Sequence, residues 1–337
     1  MAVLSSPSGN DLPLYPENSV LLAPLAGHTD LPMRLSARRH GCRYAFTEMI
    51  DAGSLVFGNA KTMTLIRRSP QEEFLGIQLV GSDPVHLAKA VEIINSRHFD
   101  VLDFNLGCPA PKVEKKCEGI AFALRRPDEA LKAVELLVKH SRIPVTVKTR
   151  IQDFEDPEPT VRFIRQLEST GIAAVTLHGR VMKAFYSGPV AFEVIRAVRD
   201  SISIPLIANG GITDFETCRE LREKTGCSRV MVARGALGNP WIFRQIADPA
   251  LPLPTVDEFA DELERHISDM ITFYGEELAF RIGRKTVLEY LRGRGYHGAL
   301  RASASFLKNT SDFEKMMKEI RQGPASFPVS PRGLRIG

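Results

Sequence analysis

The chain has 337 residues, 44% hydrophobic and 25% charged, which suits one large globular domain or a large one with a small companion. A net charge of +4 permits an acidic partner without demanding one, and no run of about 18 apolar residues or signal-peptide pattern exists to place the chain in a membrane. Five scattered cysteines without a Cys-x-x-Cys pair argue against a disulfide framework or a zinc site, and so for a reducing, cytoplasmic setting and no metal.

Residues 1–18 read as a loose arm. A rhythm then begins: a strand at 20–23 ending in Pro24, a helix at 31–40 closed by Gly41, and a second strand at 44–47. The third strand, 75–80, stops at Gly81, and Asp83 followed by Pro84 has the form of an N-cap and first helical residue for a helix through Asn95. A fourth strand occupies 101–105, with a helix at 127–140 and a fifth strand at 144–149. Helix 158–170 stops at Gly171 before a sixth strand at 173–178, and helix 191–199 leads to a seventh at 205–208. Helix 214–225, stopped by Gly226, leads to an eighth strand at 229–233.

Eight short β-rich runs, several continuously apolar, predict a (β/α)8 TIM barrel over residues 19–247. A doubly wound open sheet is the alternative, but it would not naturally use eight evenly spaced units. The Pro-rich stretch 248–254 reads as a connector to a small C-terminal helical domain at 255–321. Residues 322–337 are rich in Pro, Ser and Gly and are expected to fray.

In such a barrel the residues just past each strand share one mouth. They include Pro24, Leu25 and Ala26, then Gln78, Asn105 with Cys108, Lys148 with Arg150, and His178. Asn209-Gly210-Gly211 and Ala233-Arg234 follow the seventh and eighth strands, where barrels often bind phosphate through loop amides. A purely structural barrel needs no such polar ends. A phosphate-bearing cofactor whose ring meets Gln78, Lys148 and His178 suggests flavin mononucleotide, with a sugar phosphate left open. Cys108 lies in Gly107-Cys108-Pro109, a turn that sets a thiol at a loop tip beside Lys112, Lys115 and Lys116.

The segments 23–30 (Ala-Pro-Leu-Ala-Gly-His-Thr-Asp), 77–81 (Ile-Gln-Leu-Val-Gly) and 103–109 (Asp-Phe-Asn-Leu-Gly-Cys-Pro) stand in a specific order with four more. Those are 147–150 (Val-Lys-Thr-Arg), 178–180 (His-Gly-Arg), 208–212 (Ala-Asn-Gly-Gly-Ile) and the Arg-Gly-Ala-Leu-Gly-Asn-Pro-Trp run at 234–241. Over roughly residues 20–310 the chain thus resembles the dihydrouridine synthases, FMN-dependent enzymes that reduce uridine in tRNA.

The resemblance implies that Pro24, Leu25, Ala26, Gln78, Lys148, His178, Asn209, Gly210, Gly211, Ala233 and Arg234 hold FMN. It implies that Asn105, Arg150 and Tyr186 face the uracil, that Cys108 donates the proton and that NADPH is the reductant. The chain departs from the family at Leu25, where Met is usual, at residues 181–184, and by one extra residue between Gly119 and Pro127. The expected reaction delivers a hydride to C6 and a proton to C5, and a thiol with pKa near ~8.5 is mostly protonated at neutral pH.

Between residues 281 and 308 seven Lys and Arg face a single acid, Glu289, with Tyr290 and Tyr296 interleaved. That segregation predicts an RNA-following surface in which Arg284, Lys285 and Arg292 contact the backbone. The expected partner is tRNA, or ribosomal RNA, bound by a monomer. Rival readings are an FMN barrel enzyme acting on a small molecule and an RNA-binding protein that has lost its chemistry. The second would predict a damaged flavin set, yet Lys148, His178, Asn209 and Arg234 are all intact.

Overall fold

Eight strands form in the predicted order: β1 (Val20–Leu22), β2 (Ala45–Asp51), β3 (Leu75–Val80), β4 (Val101–Leu106), β5 (Val145–Arg150), β6 (Ala174–His178), β7 (Leu206–Asn209) and β8 (Arg229–Val232). The structure is a computed structural model that describes residues 14–324; residues 1–13 of the expected arm and 325–337 of the expected tail lie outside the described residues. All ladders are parallel, in the order β1-β8-β7-β6-β5-β4-β3-β2. The seam between β1 and β2 is closed by one bridge, Leu21 to Tyr44, where the Leu22 amide donates to the Tyr44 carbonyl at 2.8 Å. The TIM barrel expected from the periodicity is the fold.

Helices alternate with the strands, and their caps follow the sequence signals. Asp83 accepts from the His86 amide with Pro84 in the first turn, and Gly226 ends its helix at φ 69°. Strand β2 runs on to Asp51, past the expected end at 47, because its register shifts between Phe46 and Met49 and pairing with β3 resumes. Short helices at Ala52–Val56, Ala60–Leu65, Pro111–Lys115 and Ile120–Arg125 carry too few residues to show a period.

The strands' outward residues pack against the helices in the main core. The barrel interior has two layers of opposite character. Its floor is apolar, built from Leu21, Phe46, Val101, Ala174, Ile207 and Met231. Gly76 is required there, since a Cβ would stand 2.4 Å from the Phe46 ring. Tyr15 plugs this floor at 1% exposure, edge-on to Tyr44 and Phe74, and Arg229 donates to its carbonyl at 2.6 Å. Within the stretch expected as a loose arm, Tyr15 is thus packed while Pro16, Glu17 and Asn18 are exposed. Above the floor the inward positions turn polar, with Gln78 paired across to Asp103, Asn105 to Lys148, and Arg150 to His178.

The C-terminal helices Val256–Tyr274, Glu276–Leu291, Gly298–Ser303 and Thr310–Arg321 surround a second core that includes Trp241, Phe259 and Phe280. They are fastened to the barrel helix Leu31–Arg39 by ion pairs. Arg39 reaches Glu262 and Asp269, each at 2.7 Å, and Ser36 donates to Glu262 at 2.7 Å.

Candidate active site and cofactor cleft

A cleft of about 960 Å³, its open mouth included, occupies the C-terminal end of the barrel. Alternation along the strands puts every second side chain inside, so Asn105 and Lys148 arrive at one level and Arg150, His178 and Asn209 at the next, from four neighbouring strands. The structure brings together all the cleft residues expected from the sequence: Pro24, Leu25, Ala26, Gln78, Asn105, Cys108, Lys148, Arg150, His178, Tyr186, Asn209, Gly210, Gly211, Ala233 and Arg234. Arg180, Met49 and Thr213 also line it and carried no expected role. For Arg180 a signal existed, since it follows His178 by two residues and so returns to the same side of the chain.

Four cations line the cleft, Lys148, Arg150, Arg180 and Arg234, and no carboxylate among the described residues does. Burial and these four charges hold the His178 pKa well below its ordinary value, so its imidazole is neutral. Burial, with Arg150 nearby, brings Lys148 down to about 8, while Asp103 and Cys108 counteract. The Lys148 ammonium donates to Asn209 Oδ1 at 3.0 Å. Gly210 and Gly211, at φ 135° and 75°, take backbone forms that favour glycine. A Cβ on Gly210 would stand 3.1 Å from Val190 and 3.2 Å from the His178 ring.

This donor set fits an anionic ligand, and it fits a flavin phosphate in particular. Bare backbone at Gly210 and Gly211, with Lys148 and Arg234, lets oxygen-rich groups approach closely. The apolar Pro24-Leu25-Ala26 segment gives a ring a flat wall. Leu25 in place of the family's Met keeps that wall apolar.

Cys108 stands at the edge of the cleft, half-buried, and its thiol pKa is pushed up by burial although Arg150 and Lys148 oppose the shift. Its loop is pinned on both sides. The Cys108 amide donates to Asn105 Oδ1 at 2.8 Å, and its carbonyl accepts from the Ile120 amide at 3.3 Å. The second pin depends on Gly119 at φ 60°, where a Cβ would stand 2.6 Å from the Cys108 carbonyl oxygen.

The segment 181–186 lies at the mouth, and residues 181–184, where a departure from the family was expected, fall within it. Arg150 donates to the Phe185 carbonyl at 2.8 Å, and Arg234 to the Tyr186 carbonyl at 2.7 Å. Both guanidinium groups lie over the Tyr186 ring, at 5.5 and 5.1 Å from its centroid, and that ring remains 49% exposed.

The family model for dihydrouridine synthase (Dus) matches residues 21–323. A Pasteurella multocida protein named tRNA-dihydrouridine synthase B is 34% identical over 282 residues, which cover 82% of this chain and 85% of that one. A probable tRNA-dihydrouridine synthase of Rhizobium leguminosarum bv. phaseoli is 37% identical over 274 residues, covering 81% and 85%. The chain belongs to the dihydrouridine synthase family. It is accordingly an enzyme of a family of flavin-dependent oxidoreductases.

The basic surface expected for RNA needs correction within this family frame. Tyr290 and Tyr296 are 1% and 6% exposed and belong to the second core, so neither is available to a nucleotide. Arg294 is also internal, its guanidinium over the rings of Phe259 (4.8 Å) and Trp241 (5.4 Å). A charged stretch with aromatic residues at helical spacing serves a core as readily as a surface, which is why the sequence pattern misled. Arg284, Lys285 and Arg292 lie outside the cleft. Arg284 donates to the Leu307 carbonyl at 2.9 Å, Lys285 to the Gly27 carbonyl, and Arg292 pairs with Glu289 at 2.8 Å. Arg281, Lys285, Arg292, Arg301 and Lys308 are exposed.

Proposed function

We propose that this enzyme reduces specific uridines of tRNA to 5,6-dihydrouridine, with FMN as its flavin and NADPH as reductant. The observation that carries this reading is a cleft with four cations and, among the described residues, no lining carboxylate, bordered by the Cys108 thiol. Arg234, Asn209 and the bare backbone of Gly210 and Gly211 would hold the phosphate, and Lys148 and Gln78 the polar side of the ring system. Bound there and reduced by NADPH, FMN would supply a hydride for C6 of the uracil.

Cys108 holds the proton for C5. Burial keeps the thiol from ionising, so it serves as an acid at neutral pH. The thiolate left behind is stabilised by Arg150 and Lys148 until solvent returns a proton. Arg150 and Asn105 would bind the uracil carbonyls, where negative charge collects once the C5–C6 bond is attacked. A uridine stacked in RNA cannot enter the barrel, so the base must be extruded. The C-terminal helices would follow the RNA backbone with their exposed cations.

Two measurements test the reading. Purified protein should be yellow and should release FMN on denaturation. With NADPH it should introduce dihydrouridine into tRNA taken from cells lacking the gene, mapped position by position. Dihydrouridine appearing only in ribosomal RNA would replace the substrate, and a protein that FMN cannot reconstitute would end the proposal.

A further inference from the structure

A chain of buried hydrogen bonds runs beneath the cleft from β5 to the Cys108 loop. Thr146 Oγ1 donates to Asp103 Oδ1 at 2.7 Å, and Gln78 Nε2 donates to Asp103 Oδ2 at 2.7 Å. Asn105 Nδ2 donates to Gln78 Oε1 at 2.9 Å. Asn105 Oδ1 then accepts the amides of Gly107 (3.0 Å) and Cys108 (2.8 Å). Asp103 is 1% exposed and does not line the cleft, so neither flavin nor substrate touches it.

The order of donors and acceptors leaves no freedom. Backbone N–H groups can only donate, so Asn105 must turn its oxygen toward Gly107 and Cys108. Its nitrogen then faces Gln78, which must answer with oxygen, and the Gln78 nitrogen must find an acceptor. A carboxylate supplies one. Asn105 has both oxygen lone pairs engaged and one N–H left over, and the residue lines the cleft. It therefore presents a donor and never an acceptor.

We infer that Asp103 is a positioning residue. By accepting from Gln78 it fixes Asn105 as a pure donor to a pyrimidine carbonyl and holds the Cys108 loop in register. The inference rests on the uridine-reduction reading above. It also explains a pairing that reading needs, because the carbonyl at C4 adjoins C5, the atom to be protonated. Asn105 and the Cys108 amide are joined directly, so the group that binds that carbonyl also fixes the thiol's place. A donor suits the oxygen that uracil carries at C4 and not the amino group that cytosine carries there. Without the carboxylate, the buried Gln78 nitrogen has no acceptor, and Gln78 and Asn105 lose their common orientation.

The test uses the full-length, flavin-loaded protein in a Cys117→Ala background, so that Cys108 is the one half-buried thiol. Asp103→Leu keeps the side-chain shape without an acceptor. Asp103→Asn keeps an oxygen toward Gln78, while the Thr146 hydroxyl turns to accept from the new amide. For Asp103→Leu, saturated with added FMN because Gln78 also borders the flavin, we expect single-turnover reduction of tRNA uridine to be slowed at least about tenfold more than NADPH-driven flavin reduction. Alkylation of Cys108 by iodoacetamide should change at least about threefold, and Asp103→Asn should restore both readings.

Unchanged uridine reduction and alkylation in Asp103→Leu would overturn the inference. So would an Asp103→Asn variant as impaired as Asp103→Leu, since a role in charge alone would not be rescued. If Asp103→Leu does not fold, Asp103→Val takes its place with the same expectations, because a β-branched side chain suits a strand and also lacks an acceptor for Gln78. A parent protein inactive on tRNA would refute the uridine reading, while the alkylation arm would still decide the role of Asp103.

Discussion

A side chain that gives up a proton late must be kept from losing it early, and burial does this for Cys108. Cys108→Ala should therefore bind flavin and accept hydride normally, yet reduce tRNA uridine about 10²–10⁴-fold more slowly, a split read by comparing the two half-reactions in stopped flow. Cys117→Ala should stay near the parent rate. Lys148 makes the opposite trade. Its folded pKa of about 8 lies below the unfolded value near ~10.4, so between these pH values the unfolded chain binds the extra proton. Its contribution to stability is thus least favourable below pH 8 and improves as pH rises. Flavin-free Lys148→Met should melt higher than the parent at pH 7, with the gap narrowing by pH 10, and should bind FMN more weakly. The cleft residues were legible because polar groups at the ends of apolar strands have no structural reason to exist. Asp103 was not, because its partners are set by strand register. Even so, Asp103 stands two residues before Asn105 in a buried strand, which places it on the same inward face.

At the scale of elements, helix Leu31–Arg39 is bolted to helix Val256–Tyr274 through Glu262. Burial alone would raise the pKa of this carboxyl, but hydrogen bonds from His40, Arg39 and Ser36 outweigh it and bring it down to about 2. A carboxylate with a depressed folded pKa stabilises fully above its unfolded value near ~4.3 and loses that contribution as pH falls toward 2. Glu262→Ala leaves Arg39 to Asp269 alone and takes the acceptor from Ser36, and should cost about 1–3 kcal/mol in urea unfolding. Its stability should then depend less on pH between 5 and 2 than the parent's. The alternating strands and capped helices of the barrel were legible because period and caps are local. The Glu262 contacts join residues more than two hundred positions apart, and no local pattern announces them.

Across the whole molecule, the net charge of +4 conceals an uneven surface. The acids Asp257, Asp261 and Glu264 gather around Arg321, three carboxylates to one cation, so the start of the C-terminal helices is acidic. The exposed Arg281, Arg292 and Arg301 stand on later helical segments. Replacing these three by Ala should weaken tRNA binding and flatten its dependence on salt, by up to about one unit for each phosphate no longer neutralised, measured by titration at several salt concentrations. Flavin reduction by NADPH should not change. Arg284 and Lys285 are poorer probes, since they hold the Leu307 and Gly27 carbonyls and their loss would disturb the scaffold itself.

The seam of the barrel sets a clock on its birth. Strand β1 pairs with β8, which lies roughly 210 residues later, so at about 5–20 residues per second a ribosome needs about 10–40 s to deliver the partner. Through that interval β1 has no β8 to bond, and the apolar floor that Tyr15 plugs is still missing Met231. The nascent chain must therefore be shielded until its last strand emerges, and slow codons placed before residue 229 should lower the yield of folded protein.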